Sequence, residues 1–247
     1  MLATWWDEDA GQTSPQFQPG SDTPQHFKSI LDGFGGNPRG TVTEFYFENS
    51  FGQFVVQVDV YGPFVSQRSR EDRCYYGGIE PTPIDDGDLD PTDSIIGVGG
   101  GGAIGMALEA TPQADPTVDF SQYDNDGDGK VDFTGIVHSG PDMAATGDPC
   151  HTWSHAIQAT LGTLDTTGIP GGIPTSDGVT LDRLFTMPEI DLQIGVAAHE
   201  MAHALGEPDY YNPSYTSEGT GDWDIMAGGS WFGNPPGSNP TGFNPAS

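Results

Sequence analysis

The chain has 247 residues, which is enough for one large domain or two small ones, and its two cysteines form no CxxC pair. Its formal net charge of −29 excludes a surface for nucleic acid or anionic lipid, because neutralising phosphates requires Lys and Arg. The best candidate for a membrane span, residues 95–108, is too short and too glycine-rich to cross a bilayer, so we expect no membrane insertion.

The first half of the chain alternates loop-rich and patterned segments. Residues 1–25 are rich in Gly, Pro, Ser and Gln and predict a flexible lead-in. Short helices are predicted over residues 24–34 and over residues 102–110, the second ending before Pro112. Residues 51–62 alternate apolar and polar side chains, which predicts a strand.

The second half of the chain contains the stronger patterns. Apolar runs bounded by glycine and proline predict buried strands over residues 130–140 and 178–188. Residues 189–206 then place apolar side chains at helical spacing with few charges, which predicts a largely buried helix.

A run of aspartates, DNDGDGKVD at residues 124–132, matches the first half of an EF-hand loop. The bidentate glutamate of that loop is absent, because Gly135 stands at its position. We therefore predict a shorter calcium loop, with a solvated acidic turn as the alternative. Its ligands would be the carboxylates of Asp124, Asp126, Asp128 and Asp132 and the backbone carbonyl of Lys130.

Within the predicted helix, the sequence HEMAHALGEPDYY begins at His199. Residues i and i+4 lie on one face of a helix, so His199 and His203 can share one metal ion. Glu200 lies beside that face and can reach a metal-bound water. This HExxH spacing predicts a zinc site with Glu200 as general base, and two core histidines bonded to carbonyls are the alternative.

A catalytic zinc usually takes a third protein ligand. Gly206 can adopt a left-handed conformation and end the helix, and Pro208 prevents its continuation. The returning chain then brings Asp209 to the metal side, which makes Asp209 the predicted third ligand. A later glutamate is the alternative, but Glu218 lies in a segment without helical pattern.

Downstream, the sequence GDWDIMAGGSW places Met226 in a tight turn between glycines. A methionine there can form an apolar floor beneath the histidine ligands, although a methionine in a turn is more often simple packing.

These motifs resemble those of the immune inhibitor A-type secreted metallopeptidases, which are metzincin-like zincins. Three further stretches are similar to that family: residues 41–54, ahead of its first core strand, residues 118–140, its calcium loop and following strand, and TWSH at residues 152–155. The likeness covers most of residues 24–245 in the same order.

The resemblance implies an α+β, zincin-like fold, with a twisted mixed sheet packed on a buried active-site helix. It implies an N-terminal subdomain over residues 26–206 with the calcium loop, and a loop-rich C-terminal subdomain over residues 207–247 with the Met-turn. Family chains continue further, so we expect this second subdomain to be truncated. Glu207 stands where the family pattern predicts an apolar residue.

The resemblance also implies a zinc endopeptidase that is made with a propeptide and exported. It carries over His199, His203 and Asp209 as zinc ligands, Glu200 as base and Met226 as the Met-turn methionine. We expect an extracellular monomer that acts on protein or peptide substrates. Export in turn predicts a disulfide between Cys74 and Cys150.

Weaker signals favour structural interpretations. The GxGxxG pattern at residues 97–102 lacks a proper strand and helix around it and predicts a flexible loop. His138, His151 and His155 are expected to be structural. The alternative to an enzyme is a calcium-bound surface or adhesion module that keeps a relict metal site.

Overall fold

The computed structural model describes residues 23–64, 103–147, 151–161, 169–212 and 216–244. Contacts within the chain divide it into two compact units. The first unit holds the described residues between 61 and 190, and the second holds residues 23–60 and those from 191 onward. Helices occur together with small mixed sheets, which agrees with the predicted α+β class.

The first unit contains six strands: β1 (Lys130–Val131), β2 (Thr134–His138), β3 (Ala156–Gln158), β4 (Ile173–Pro174), β5 (Thr180–Leu181) and β6 (Arg183–Pro188). They form two three-stranded sheets, with orders β1-β5-β4 and β2-β6-β3. Strand β6 pairs parallel with β2, from Thr134 beside Leu184 to His138 beside Pro188, and antiparallel with β3. The strands predicted over residues 130–140 and 178–188 are confirmed.

The sheets share a core with one long helix, α3 (Ala103–Ala114). The prediction that this helix ends before Pro112 is wrong, because Pro112 lies inside it. Proline removes one backbone donor there, but Ala110, Thr111 and Ala114 are buried and hold the last turn in place. A short helix, α4 (Met143–Thr146), follows the second strand.

The second unit is built from helices α1 (Pro24–Leu31), α2 (Val42–Asn49) and α5 (Ile194–Leu205). Helices α1 and α5 match the helices predicted over residues 24–34 and 189–206. Helix α2 begins at an N-cap, Thr41, whose hydroxyl accepts a hydrogen bond from the backbone N–H of Glu44. It contacts α5, and the Tyr46 hydroxyl donates to the Ala198 carbonyl at 2.7 Å.

The strand predicted over residues 51–62 is absent from the described structure, where residues 54–64 form no ladder. Side chains of the two preceding helices bind its backbone carbonyls instead. The Thr43 hydroxyl donates to the Val56 carbonyl at 2.8 Å, and the Lys28 ammonium donates to the Val58 carbonyl. The alternating pattern here therefore reflects half-burial without strand pairing.

Two 3-10 helices, Gly221–Trp223 and Gly228–Trp231, complete the second unit. The second one lies against α5 at Gly195, where any β-carbon would overlap the Ser230 carbonyl oxygen. Helix α5 and the sheets belong to different units, so the predicted packing of sheet on helix and the predicted division after Gly206 stay predictions. Among the described residues, the helices are too short or too polar to span a membrane.

Candidate metal centre

Helix α5 carries His199 and His203 one turn apart, with ring centroids 4.8 Å from each other. Its residues from Ile194 to Ala202 are all buried, so packing holds the histidine-bearing face in place. The helix ends at Gly206, which has a φ of 105° and donates its N–H to the His203 carbonyl at 2.9 Å. This left-handed residue reverses the chain, as the sequence predicted.

The reversal brings Asp209 to both imidazoles. Its Oδ1 lies 3.3 Å from Nε2 of His199 and 3.3 Å from Nε2 of His203. The structure therefore places Asp209 where the sequence predicted a third ligand. Two imidazole nitrogens and one carboxylate oxygen are a ligand set that catalytic zinc uses.

The far side of each imidazole is held by a backbone carbonyl. Nδ1 of His199 lies 2.8 Å from the Ile225 carbonyl oxygen, and Nδ1 of His203 lies 2.7 Å from that of Glu207. A carbonyl oxygen can only accept, so each Nδ1 carries a proton, and in the neutral form of each ring the free lone pair is on Nε2, the nitrogen on the Asp209 side. Both rings are thus in the tautomer that a metal needs.

The electrostatics of this cluster favour a cation. Burial lowers the pKa of both imidazoles, but the hydrogen bond that each protonated Nε2 donates to Asp209 and the charge of Glu200 outweigh it and raise each pKa. Burial also acts to raise the pKa of the Asp209 carboxyl, yet the two imidazoles hold it far below its usual range. A bound metal replaces those protons, since ligand imidazoles must be neutral. The donor set and its charge therefore fit zinc.

Glu200 is buried beside the two histidines. His199, Glu200 and His203 form one of the groups in the described chain whose ligand atoms all lie within 4.8 Å of one another. The side chain of Glu207 lies close by and accepts a hydrogen bond from the Tyr210 hydroxyl at 3.1 Å. Burial, with the charge of Glu207 added, raises the pKa of the Tyr46 hydroxyl.

Met226 is fully buried, in a turn that begins at Asp224. The turn contributes the Ile225 carbonyl to His199, and the Met226 carbonyl accepts the N–H of Tyr210 at 2.8 Å. The sequence did not predict these backbone contacts, because every residue type has a backbone carbonyl. An acidic residue, Asp224, in an otherwise apolar and glycine-rich turn was the available signal.

The acidic loop lies in the first unit. Carboxylate oxygens of Asp124, Asp126 and Asp128 lie within 4.8 Å of one another, and the backbone N–H of Asp128 donates to both other side chains. Asp132 instead accepts hydrogen bonds from the backbone and side chain of Asn125. The Lys130 ammonium donates to Asp182 at 2.7 Å.

Of the remaining histidines, His155 is bonded as a structural residue. Its Nδ1 donates to the Trp153 carbonyl at 2.8 Å, and its Nε2 accepts the N–H of Ala103 at 3.2 Å, at the first residue of α3. Cys74 and Cys150 lie outside the described residues, so the predicted disulfide stays a prediction.

A helix with two histidines one turn apart, an adjacent buried glutamate and an aspartate shared by both imidazoles defines the class of metallopeptidases. Comparison with known families narrows this class. Residues 23–247 match the model described as the catalytic domain of the Immune inhibitor A peptidase M6 family, so the chain belongs to that family of peptidases.

Two curated relatives agree with this assignment. The chain is 28% identical over 240 residues to Immune inhibitor A of Bacillus thuringiensis subsp. alesti, a match that covers 90% of this chain and 34% of the relative. It is 28% identical over 252 residues to Pre-pro-metalloprotease PrtV of Vibrio cholerae serotype O1, strain M66-2, covering 90% of this chain and 25% of the relative. The chain thus spans between a quarter and a third of these relatives.

Proposed function

We propose that this chain is a zinc-dependent endopeptidase domain with a metzincin-like site. One observation carries the proposal: Asp209 Oδ1 lies 3.3 Å from Nε2 of both His199 and His203, whose Nδ1 protons are bound by carbonyls. His199, His203 and Asp209 would hold the ion. A zinc ion bound there would polarise the scissile carbonyl and lower the pKa of water to about 7.

Glu200 supplies the proton transfers. Its carboxylate accepts a proton from the water whose oxygen attacks the scissile carbonyl carbon. It then passes that proton to the leaving nitrogen as the carbon–nitrogen bond breaks, which gives one carboxylic acid and one amine. Burial of Glu200 beside the histidines supports this role, because the reaction site is then shielded from bulk water.

The Met-turn is proposed to support the ligands from below. Met226 is buried, and the backbone on either side of it binds His199 and Tyr210. An apolar side chain under a metal site keeps water out and leaves the ligand geometry unchanged.

Calcium is proposed to bind the acidic loop. Three aspartates converge there, and the hard oxygen ligands that they offer are those calcium prefers. We propose that Asp132 and the Lys130 carbonyl complete the set when the ion binds. The role is structural, since strand β1 lies within the loop and strand β2 follows it directly.

The remaining expectations are part of the same proposal. The domain would act on protein or peptide substrates, outside the cell, as a monomer. One relative is named Pre-pro-metalloprotease PrtV, and the pre- and pro-segments that this name implies support export of that relative and, by similarity, of this chain. The alternative of a non-catalytic module is not favoured, because the family is a peptidase family and Glu200 is present.

The test is peptide hydrolysis by the purified chain, before and after treatment with a zinc chelator and after zinc is restored. Cleavage that stops on chelation and returns with zinc, but not with calcium alone, supports the proposal. Cleavage that is indifferent to chelation contradicts it.

A further inference from the structure

One buried carboxylate in the second unit has no role in the proposed reaction. Asp224 is completely shielded from solvent and lies two residues before Met226. Its Oδ1 accepts the backbone N–H of Met226 at 2.9 Å, and its Oδ2 accepts the side-chain amide of Asn244. Burying a carboxylate is costly, so this one is retained for what its hydrogen bonds hold.

The N–H that Asp224 binds and the carbonyl that His199 binds belong to the same peptide group. That group joins Ile225 to Met226, and its planarity makes the carbonyl and the N–H point in opposite directions. Asp224 therefore holds one end of a rigid plane at 2.9 Å, and Nδ1 of His199 is bound to the other end at 2.8 Å.

The surrounding turn leaves this peptide plane little freedom. The Asp224 carbonyl accepts the N–H groups of Ala227 and Gly229, both at 3.1 Å. A β-carbon on Gly229 would overlap the Thr241 hydroxyl and approach the Asp224 carbonyl. The next carbonyl along, that of Met226, binds the N–H of Tyr210, the neighbour of Asp209. One turn thus binds one proposed ligand, His199, and the residue next to a second, Asp209.

We infer that Asp224 is a positioning residue for the zinc ligand His199, acting through the Ile225–Met226 peptide. The negative charge at the N–H end polarises the peptide and strengthens its carbonyl as an acceptor. A carboxylate that binds a ligand histidine directly is a common device at metal sites, and here one peptide group is inserted between the two. The inference rests on the proposed zinc site.

The chain contains an internal control for this inference. Nδ1 of His203 binds the Glu207 carbonyl, which belongs to the segment after α5 and not to the Asp224 turn. A change that acts through the Ile225–Met226 peptide must alter the hydrogen bond at Nδ1 of His199 and leave the hydrogen bond at Nδ1 of His203 unchanged. General loosening of the unit would alter both.

The experiment compares the parent with Asp224→Ala and Asp224→Asn. Zinc affinity is measured by competition with a chromophoric chelator, and the Nδ1–H signals of the two histidines are followed by proton–nitrogen NMR. Removing a group that orients a ligand costs about 10–100-fold in metal affinity, which is expected for Asp224→Ala. Asp224→Asn keeps the hydrogen bond to Met226 and loses the charge, so a smaller loss is expected.

In both variants the His199 Nδ1–H signal should move upfield, as for a weaker hydrogen bond, while that of His203 stays in place. The matched control is Asp182→Ala, which removes a similarly buried carboxylate from the other unit and should leave zinc affinity unchanged. Should Asp224→Ala not fold, Asp224→Asn decides.

An unchanged His199 signal, or equal movement of both signals, overturns the inference. The NMR comparison is also made without metal. If the parent chain binds no zinc, the proposed function is wrong, and the inference is then tested by the His199 and His203 Nδ1–H signals of the metal-free protein.

Discussion

The two groups of candidate ion ligands in the described part of the chain are built in different ways. In the second unit, Asp209 meets two imidazoles whose orientation comes from carbonyls at residues 207 and 225, so the cluster depends on segments distant in sequence. In the first unit, Asp124, Asp126 and Asp128 are oriented by N–H groups of their own loop. Tertiary structure therefore orients the histidine ligands of the metal centre, whereas local sequence orients the aspartates of the acidic loop.

The largest effect on activity is expected at the metal centre, from removing the proton-transfer group Glu200. Glu200→Gln preserves the shape and leaves both imidazoles and Asp209 in place, so zinc should be retained. Loss of the proton-transfer group should lower the rate of peptide hydrolysis by about 10²–10⁴-fold. Turnover at the parental rate, with zinc content confirmed, would remove Glu200 from the mechanism.

Removing the Asp209 carboxylate should weaken zinc binding while leaving Glu200, the proposed proton-transfer group, in place. Asp209→Ala leaves two imidazoles for the ion, and zinc affinity should fall by at least about 100-fold, beyond the range for orienting residues. Activity should then follow zinc occupancy. The control is Asp126→Ala in the acidic loop, which should keep parental zinc affinity, and equal losses in the two variants would erase the distinction between the clusters.

The acidic loop should respond to calcium instead. At calcium about 100-fold above its dissociation constant, a single site adds about 2.7 kcal/mol to the free energy of unfolding. Asp126→Ala should shrink that gain. Asp115→Ala, which removes a carboxylate bonded to the Ser176 N–H, should lower stability while keeping the calcium gain. The same gain in Asp126→Ala as in the parent would mean that calcium binds elsewhere.

The smallest effect concerns a histidine outside both clusters. Burial lowers the pKa of His155 below 6.5, outweighing the Trp153 carbonyl and the charge of Asp142. Its contribution to stability is therefore complete above pH 6.5 and is lost as the pH falls below that value, by at most about 1.4 kcal/mol per pH unit. The free energy of unfolding of the parent should fall faster between pH 6.5 and 5.5 than that of His155→Gln. Parallel slopes would contradict this.

Much of the metal centre could be predicted from sequence because its parts are close in the chain. Helical spacing aligns His199 with His203, and the turn at Gly206 brings back Asp209, all within eleven residues. These relations depend on local backbone geometry, which residue types report. The carbonyls that orient the imidazoles could not be predicted, since any residue offers one.

The fold was harder to predict where tertiary contacts override local preference. Residues 54–60 have a strand-like pattern, but Lys28 and Thr43 bind their carbonyls. Helix α3 continues past Pro112, because its buried face outweighs one lost hydrogen bond. The second unit combines residues 23–60 with residues after 190, a long-range association that no local pattern reports.

The most direct test of the account is anomalous diffraction from crystals of the purified chain, with data collected on both sides of the zinc absorption edge. The proposed zinc site predicts one strong zinc peak within bonding distance of Nε2 of His199, Nε2 of His203 and Oδ1 of Asp209, and no zinc peak at residues 124–132. A zinc peak in the acidic loop, or none beside the two histidines in zinc-loaded crystals, would contradict it.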